Sequence, residues 1–96
     1  MSVALITGSS RGLGAAMARR LAKDGFDLAL NCYSEKEKEE GKLVLEDCRS
    51  FGVRAEIFVC DVSDYSCCEK MVQEVKDTFG SIDVLVNNAG ITKDGL

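Results

Sequence analysis

The run Thr-Gly-Ser-Ser-Arg-Gly-Leu-Gly over residues 7–14 limits the possible folds of this chain more than any other segment. It follows a short apolar stretch and precedes a helix-like stretch, residues 15–23. Its glycines, Gly8, Gly12 and Gly14, allow the main chain to turn tightly and to approach a ligand with no side chain in between. A helix that begins at such a turn directs unpaired N–H groups and a partial positive charge towards it. The segment therefore predicts a strand-to-helix turn that suits a phosphate group.

Strand-like and helix-like stretches alternate along the chain. The strand candidates are residues 3–7, 26–32, 54–60 and 83–87, with helical candidates between them. Continuous apolar strands between amphipathic helices indicate a parallel sheet with helices on both faces and right-handed crossovers. We predict an α/β fold, the N-terminal half of a doubly wound (Rossmann) parallel sheet, with strand order 3-2-1-4 in three α/β/α layers. Residues 1–96 show no linker or repeat and are expected to form one partial dinucleotide-binding domain.

Side-chain spacing predicts which helical faces are buried and where helices begin. Leu13, Met17, Leu21 and Ala22 fall on one face of the first helix, which we expect to pack on the sheet. Ser34 and Glu37 have the spacing of a capping box, with Ser34 at the N-cap of the second helix. Residues 61–64 supply helix-start residues for the third helix, and Gly80 is predicted to end it.

Composition excludes several classes of function. The formal net charge is −4 with no basic stripe, which argues against nucleic-acid binding. No apolar run approaches the length of a membrane span and no basic-then-apolar leader is present, so we expect a cytoplasmic protein without a membrane partner. The five cysteines have irregular spacing without a Cys-x-x-Cys pair, and histidine is absent from the sequence. We expect reduced thiols that fill apolar space, and no metal site.

The glycine spacing by itself leaves alternatives open. It reads G-x-x-x-G-x-G rather than the G-x-G-x-x-G of many dinucleotide sites, and no Gly-Lys-Ser or Gly-Lys-Thr follows as in a P-loop. Because glycine marks many turns, a tight turn with no ligand is the simplest alternative. A flavodoxin-like or response-regulator domain would also alternate strands and helices. A response-regulator domain, however, requires an acidic pair after its first strand, whereas this chain has Thr7-Gly8 there.

Three motifs together resemble the short-chain dehydrogenase/reductase family. They are Thr-Gly-x-x-x-Gly-x-Gly at residues 7–14, Asp61-Val62 after the third strand, and Asn-Asn-Ala-Gly at residues 87–90 after the fourth. They occur in the order and at the separation that the family shows, and the resemblance covers the whole chain. Within the family, residues 10–12 and 88–96 are most similar to the 3-oxoacyl-[acyl-carrier-protein] reductases.

The resemblance implies a set of cofactor-binding residues. Main-chain amides of residues 9–13 would face the pyrophosphate, and residues 88–90 would line the adenosine ribose. Asp61 would accept a hydrogen bond from the adenine amino group, while the Val62 amide would donate to a ring nitrogen. We expect Asn87 instead to bridge main-chain groups at the end of strand four. The full predicted set is Gly8, Ser9, Ser10, Arg11, Gly12, Leu13, Gly14, Tyr33, Ser34, Asp61, Val62, Asn88, Ala89 and Gly90.

The end of the second strand predicts the preference between NADPH and NADH. In this fold an NAD site usually has an acid about 20 residues after the glycines, where it binds the ribose hydroxyls. Here that position holds Tyr33 and Ser34, and the next acid, Glu35, belongs to the predicted helix start. A missing carboxylate removes a repulsion against a 2′-phosphate, and the resemblance implies that Arg11 reaches that phosphate. We predict NADP(H) in preference to NAD(H), with the hydroxyls of Tyr33 and Ser34 as further donors.

The resemblance also implies catalysis by a tyrosine with a lysine four residues on, together with a serine and an asparagine. Tyr33 and Tyr65 have Glu37 and Glu69 at that position, so residues 1–96 carry no predicted catalytic group. We expect the N-terminal part of a longer, homotetrameric reductase acting on a small-molecule carbonyl substrate, a 3-oxoacyl thioester carried on acyl carrier protein. The alternative is a self-standing, non-catalytic nucleotide-binding or interaction module.

Overall fold

The computed structural model describes residues 2–88, in which strands and helices alternate strictly. The elements are β1 Val3–Ile6, α1 Gly12–Lys23, β2 Asp27–Cys32, α2 Glu35–Arg49, β3 Ala55–Val59, α3 Tyr65–Phe79 and β4 Val84–Val86. Each strand begins or ends within a residue or two of its predicted bounds. The helix α1 begins at Gly12, inside the glycine run, rather than after it.

The four strands form one parallel sheet in the order β3-β2-β1-β4. This confirms the predicted order and differs from the flavodoxin-like order 2-1-3-4-5. Every residue of β1 and of β2 is buried. Burial in these central strands does not alternate from residue to residue, because both faces of the strands are covered.

Two apolar cores, one on each face of the sheet, confirm the three layers. On one face, α1 and α2 pack against β1 and β2; the buried residues there include Ala15, Ala18, Ala22, Val44, Cys48, Ile6, Leu28 and Leu30. On the other face, α3 packs against the same strands; its core includes Met71, Val75, Phe79, Val3, Leu5 and Ala29. The sheet thus holds the carboxyl ends of β1, β2 and β4 side by side at one edge of the molecule.

The predicted buried face of α1 is wrong at its first position. Leu13 is 64% exposed, while the buried residues of α1 are all small: Gly14, Ala15, Ala18 and Ala22. Met17 and Leu21 are only partly buried beside that core. Small side chains let the α1 main chain approach the sheet closely. The helix therefore turns its face of small residues, rather than the face that carries Leu13, towards the sheet.

The start and end of α3 agree with the predicted signals. The Asp64 carboxylate accepts a hydrogen bond from the main-chain N–H of Cys67 at 3.2 Å, which is the N-cap arrangement. Gly80 ends the helix with φ of 93°, in the left-handed region. The cap fixes the point at which the chain leaves Asp61 and Val62 and enters α3.

Candidate functional site

The glycine turn lies at the carboxyl end of β1, and its positions require glycine for different structural reasons. Gly8 and Gly12 have φ of 62° and 60°, which L side chains rarely adopt. A Cβ on Gly12 would meet no atom within 4 Å, so the space beside Gly12 is open. A Cβ on Gly14 would overlap the carbonyl oxygen of Gly8 and lie 2.7 Å from the side-chain nitrogen of Asn88. Gly14 is therefore required by close packing, and Gly12 by conformation beside an open surface.

Asn31, which is 1% exposed, holds the turn against the end of β2. Its side-chain oxygen accepts the N–H of Gly8 at 3.0 Å, and its side-chain nitrogen lies 3.2 and 3.1 Å from the carbonyl oxygens of Phe58 and Cys60. Its main-chain N–H donates to the hydroxyl of Ser9 at 2.9 Å. Sequence reasoning missed this role, although an asparagine inside an apolar strand was a signal for it.

One of the amides predicted to face the pyrophosphate is used within the fold. The N–H of Ser9 donates to the carbonyl oxygen of Asn31 at 2.9 Å, and Ser9 is fully buried. The prediction is therefore wrong for the Ser9 amide. The first turn of α1, which contains Gly12 and Leu13, has no intrahelical partners for its N–H groups. Arg11 at the N-cap makes no side-chain capping bond there, so these amides suit an anion at the turn.

Asn88, rather than Asn87, bridges the end of β4 to the turn. The N–H of Asn88 donates to the hydroxyl oxygen of Thr7 at 2.9 Å, and its side-chain nitrogen donates to the carbonyl oxygen of Gly8 at 3.1 Å. Asn87 is exposed and accepts from the Thr7 hydroxyl at 3.4 Å. Within residues 2–88, the bridge to the main chain of the turn is made by Asn88, whereas we predicted such a bridge for Asn87; the ribose role of Asn88 stays a prediction. The other predicted ribose residues, Ala89 and Gly90, lie outside the described residues.

Asp61 and Val62 follow β3 at the same edge of the sheet. The carboxylate of Asp61 accepts the hydroxyl of Ser63 at 2.7 Å and the N–H of Ser63 at 3.0 Å. These bonds hold the pKa of Asp61 below its usual value, and the hydroxyl of Tyr33 lowers it further by a smaller amount. Asp61 is thus an ionised acceptor at neutral pH. The Tyr33 side chain is 58% exposed.

Arg11 extends from the turn towards the start of α2. Its guanidinium nitrogens lie 3.9 Å from a carboxylate oxygen of Glu37 and 3.9 Å from one of Glu40, and its side chain is 70% exposed. Ion pairs this long and this exposed contribute little stability. The guanidinium is accordingly available to another anion at the carboxyl end of β2.

The predicted capping box at the start of α2 is only half correct. Ser34 is the N-cap residue, but its side chain makes no capping hydrogen bond. The carboxylate of Glu37 accepts the N–H of Tyr33, one residue before the cap, at 3.0 Å. The folded chain thus places an acid at the end of β2, where the linear sequence shows none. Burial raises the pKa of the neighbouring Cys32 thiol to about 11, with the charge of Glu37 as the next largest cause.

The described residues hold no group of three or more histidine, cysteine, aspartate or glutamate side chains that could bind a metal ion. All five cysteines are free thiols, three of them buried. Within residues 2–88, no helix has the length and apolar character needed to cross a membrane.

Comparison with known proteins assigns the chain to a family. The family model for short chain dehydrogenases matches residues 2–96. The chain belongs to the short-chain dehydrogenase family. Among curated proteins, the 3-oxoacyl-[acyl-carrier-protein] reductase FabG of Staphylococcus aureus is 45% identical over 93 residues, which are 97% of this chain. The match covers 37% of that protein, so the chain spans little more than a third of the length of this curated relative.

Solved structures of short-chain dehydrogenases have the same fold. One from Burkholderia xenovorans matches with a TM-score of 0.91 and 35% identity, covering 96% of this chain and 37% of that one. A blue fluorescent protein from a metagenomic library, in complex with NADPH, matches with a TM-score of 0.87 and 40% identity over 94% of this chain and 36% of its own. An NAD+-bound xylitol dehydrogenase matches with a TM-score of 0.86 and 37% identity over 93% and 33% of the two chains.

Proposed function

We propose that this chain is the cofactor-binding N-terminal part of an NADP(H)-dependent carbonyl reductase. The observation that carries the proposal is the turn between β1 and α1, because Asn31 and Asn88 hold it rigidly while its outer surface beside Gly12 stays open. The proposal also draws on family membership and on the similar structure that binds NADPH. The bound dinucleotide would supply a hydride to a substrate carbonyl.

The residues at the carboxyl edge of the sheet fit the parts of such a dinucleotide. The amides of residues 10–13 would bind the pyrophosphate, because the first turn of α1 presents unpaired N–H groups to it. Asp61, kept ionised by Ser63, would accept from the adenine amino group, and the Val62 amide would donate to the ring. Arg11 would form a bidentate pair with a 2′-phosphate, assisted by Ser34.

Tyr33 fits the predicted phosphate-binding role less well than Ser34 does. Its hydroxyl is close enough to Asp61 to lower the pKa of that carboxyl by a small amount. We therefore assign the exposed Tyr33 ring to the surface beside the adenine position, where an aromatic face can stack on a base. Asn88, already bonded to Gly8, would line the adenosine ribose.

The substrate, assembly and location belong to the same proposal. The name of the Staphylococcus aureus relative supports a 3-oxoacyl thioester carried on acyl carrier protein as the substrate. Reduction would use a tyrosine, lysine, serine and asparagine from outside residues 1–96, and the enzyme would be a cytoplasmic homotetramer. A non-catalytic nucleotide-binding module remains the second candidate, because neither Tyr33 nor Tyr65 has a lysine four residues on.

Isothermal titration of the full gene product with NADP+ tests the cofactor site. The variant Gly12→Ala places a methyl group beside the proposed pyrophosphate position and should weaken binding by about tenfold or more, or about 1.4 kcal/mol. Gly25→Ala is the matched control, since Gly25 also has positive φ and open surroundings but lies at the opposite end of α1. Failure of the unmodified protein to bind either NADP+ or NAD+ would refute the proposal. Cofactor binding without NADPH consumption by 3-oxoacyl thioesters would favour the non-catalytic module.

A further inference from the structure

The end of β2 carries a carboxylate that arrives from the first turn of α2. Glu37 accepts the main-chain N–H of Tyr33 at 3.0 Å with one oxygen, and its other oxygen lies 3.9 Å from the guanidinium of Arg11. In a doubly wound sheet, the end of β2 is where the adenosine ribose and any 2′-phosphate lie. One carboxylate therefore contacts both the strand end and the arginine that would bind that phosphate.

Glu37 is held in place, whereas the second acid near Arg11 is not. The side chain of Glu37 is 23% exposed and is fixed by its bond to Tyr33, while the side chain of Glu40 is 50% exposed. The carboxylate of Glu40 can move into solvent when an anion approaches. A carboxylate that is bonded to the main chain cannot do so without losing that bond.

We propose that Glu37 is a specificity-determining residue that competes with the 2′-phosphate for Arg11 and so narrows the preference for NADP(H) over NAD(H). This inference rests on the proposed cofactor function. A phosphate monoester carries close to two negative charges at neutral pH and is repelled by a fixed carboxylate nearby. The 2′-hydroxyl of NAD+ carries no charge and can donate to the same carboxylate. In NAD-binding members of this fold, an acid at the end of the second strand disfavours a 2′-phosphate. Glu37 therefore has part of that effect, although it belongs to α2.

The variant Glu37→Gln tests this by removing the charge and keeping the shape. The glutamine oxygen can still accept the N–H of Tyr33, so the start of α2 should remain folded. The measured quantity is the ratio of the dissociation constants for NAD+ and NADP+, obtained by isothermal titration of the full gene product. We expect the ratio to rise about three- to tenfold in favour of NADP+, as expected for one charge removed near a phosphate at the protein surface.

Glu39→Gln is the matched control. It removes the same charge from the same helix, but its carboxylate pairs with Lys42 at 3.1 Å and its side chain is 77% exposed. The ratio should change by less than about twofold, because an exposed charge outside the site is screened by salt. An equal rise in both variants would overturn the inference, because the effect would then come from overall charge.

A double-mutant cycle with Arg11→Gln separates competition for Arg11 from simple repulsion. If the two groups compete for Arg11, the effect of Glu37→Gln on the ratio should be smaller when the arginine is absent, because only direct repulsion of the phosphate then remains. An undiminished effect in that background, or an unchanged ratio in Glu37→Gln itself, would overturn the inference and leave cofactor binding intact. If the unmodified protein binds neither NADP+ nor NAD+, the proposed function is refuted, and the inference with it.

Discussion

The side-chain nitrogen of Asn88 donates a hydrogen bond to the main-chain carbonyl oxygen of Gly8 at 3.1 Å, joining residues that are 80 positions apart. Gly14, in the first turn of α1, lies directly against both groups. The end of β4, the glycine turn and the start of α1 are therefore one packed unit. Any change of shape at one of them must displace the other two.

Gly14→Ala should destabilise the protein more than Gly12→Ala does. The added methyl group at Gly14 would overlap the Gly8 carbonyl and press on the Asn88 amide, a main-chain clash that we expect to cost about 3 kcal/mol. At Gly12 the methyl group meets open space, and the cost is the strain of positive φ, about 1 kcal/mol. Urea denaturation of the two variants measures both values. Equal losses would show that α1 can shift away from β4 at no cost.

The order of the strands could be predicted because it depends on patterns that are local in sequence. Continuous apolar runs such as Val3–Ile6 identify buried parallel strands, and right-handed crossovers restrict how such strands can be ordered. Gly80 and Asp64 mark helix ends by their own conformational preferences. These signals do not depend on which distant residues meet.

The details of the site depend on contacts that the linear sequence does not contain. Whether Asn87 or Asn88 turns towards Gly8 is decided by how the chain leaves β4 beside β1, because both asparagines follow Val86, the last residue of that strand. The carboxylate of Glu37 reaches the end of β2 only because α2 begins beside Tyr33. Leu13 is exposed because small residues let α1 lie close to the sheet. The spacing of apolar residues along α1 cannot show which face of the helix packs on the sheet.

Asn31→Asp should destabilise the fold strongly despite the nearly identical shape of the two side chains. An aspartate can still accept the N–H of Gly8, but it cannot donate to the carbonyl oxygens of Phe58 and Cys60. Burying a carboxylate beside these carbonyl groups should cost about 3 kcal/mol or more. Thermal unfolding followed by circular dichroism measures the loss. Asn87→Asp, at an exposed position, is the control and should change stability little.

Stability should fall above about pH 9 because three buried thiols lose their protons later in the folded protein than in the unfolded chain. Burial raises the pKa of Cys48 and of Cys32 from 9.0 to about 11 in the folded protein. Burial also raises the pKa of Cys60. Below pH 9 both states keep these protons, so the contribution is fully present there. Between the two pKa values only the unfolded chain loses them, which lowers the free energy of unfolding by about 1.4 kcal/mol per pH unit for each thiol.

The variant Cys48→Ala isolates this effect from other alkaline titrations. It should be less stable than the unmodified protein at pH 8 because of the missing buried sulfur, yet its stability should fall less steeply above pH 9. Urea denaturation at several pH values gives both slopes. Parallel slopes would mean that the Cys48 thiol does not retain its proton in the fold.

Leu85→Lys should reduce self-association of the 96-residue chain when it is produced alone. Within residues 2–88, β4 is an edge strand that pairs only with β1, and Leu85 on it is 62% exposed. An apolar edge with unpaired main-chain groups favours pairing with a second chain, whereas a lysine on such an edge opposes it. Leu43→Lys is the control, since Leu43 is 66% exposed but lies on α2. Sedimentation velocity should show a smaller associated fraction for Leu85→Lys alone. A chain that is monomeric without either substitution, and that melts cooperatively at high temperature, would show that the β4 edge does not drive association.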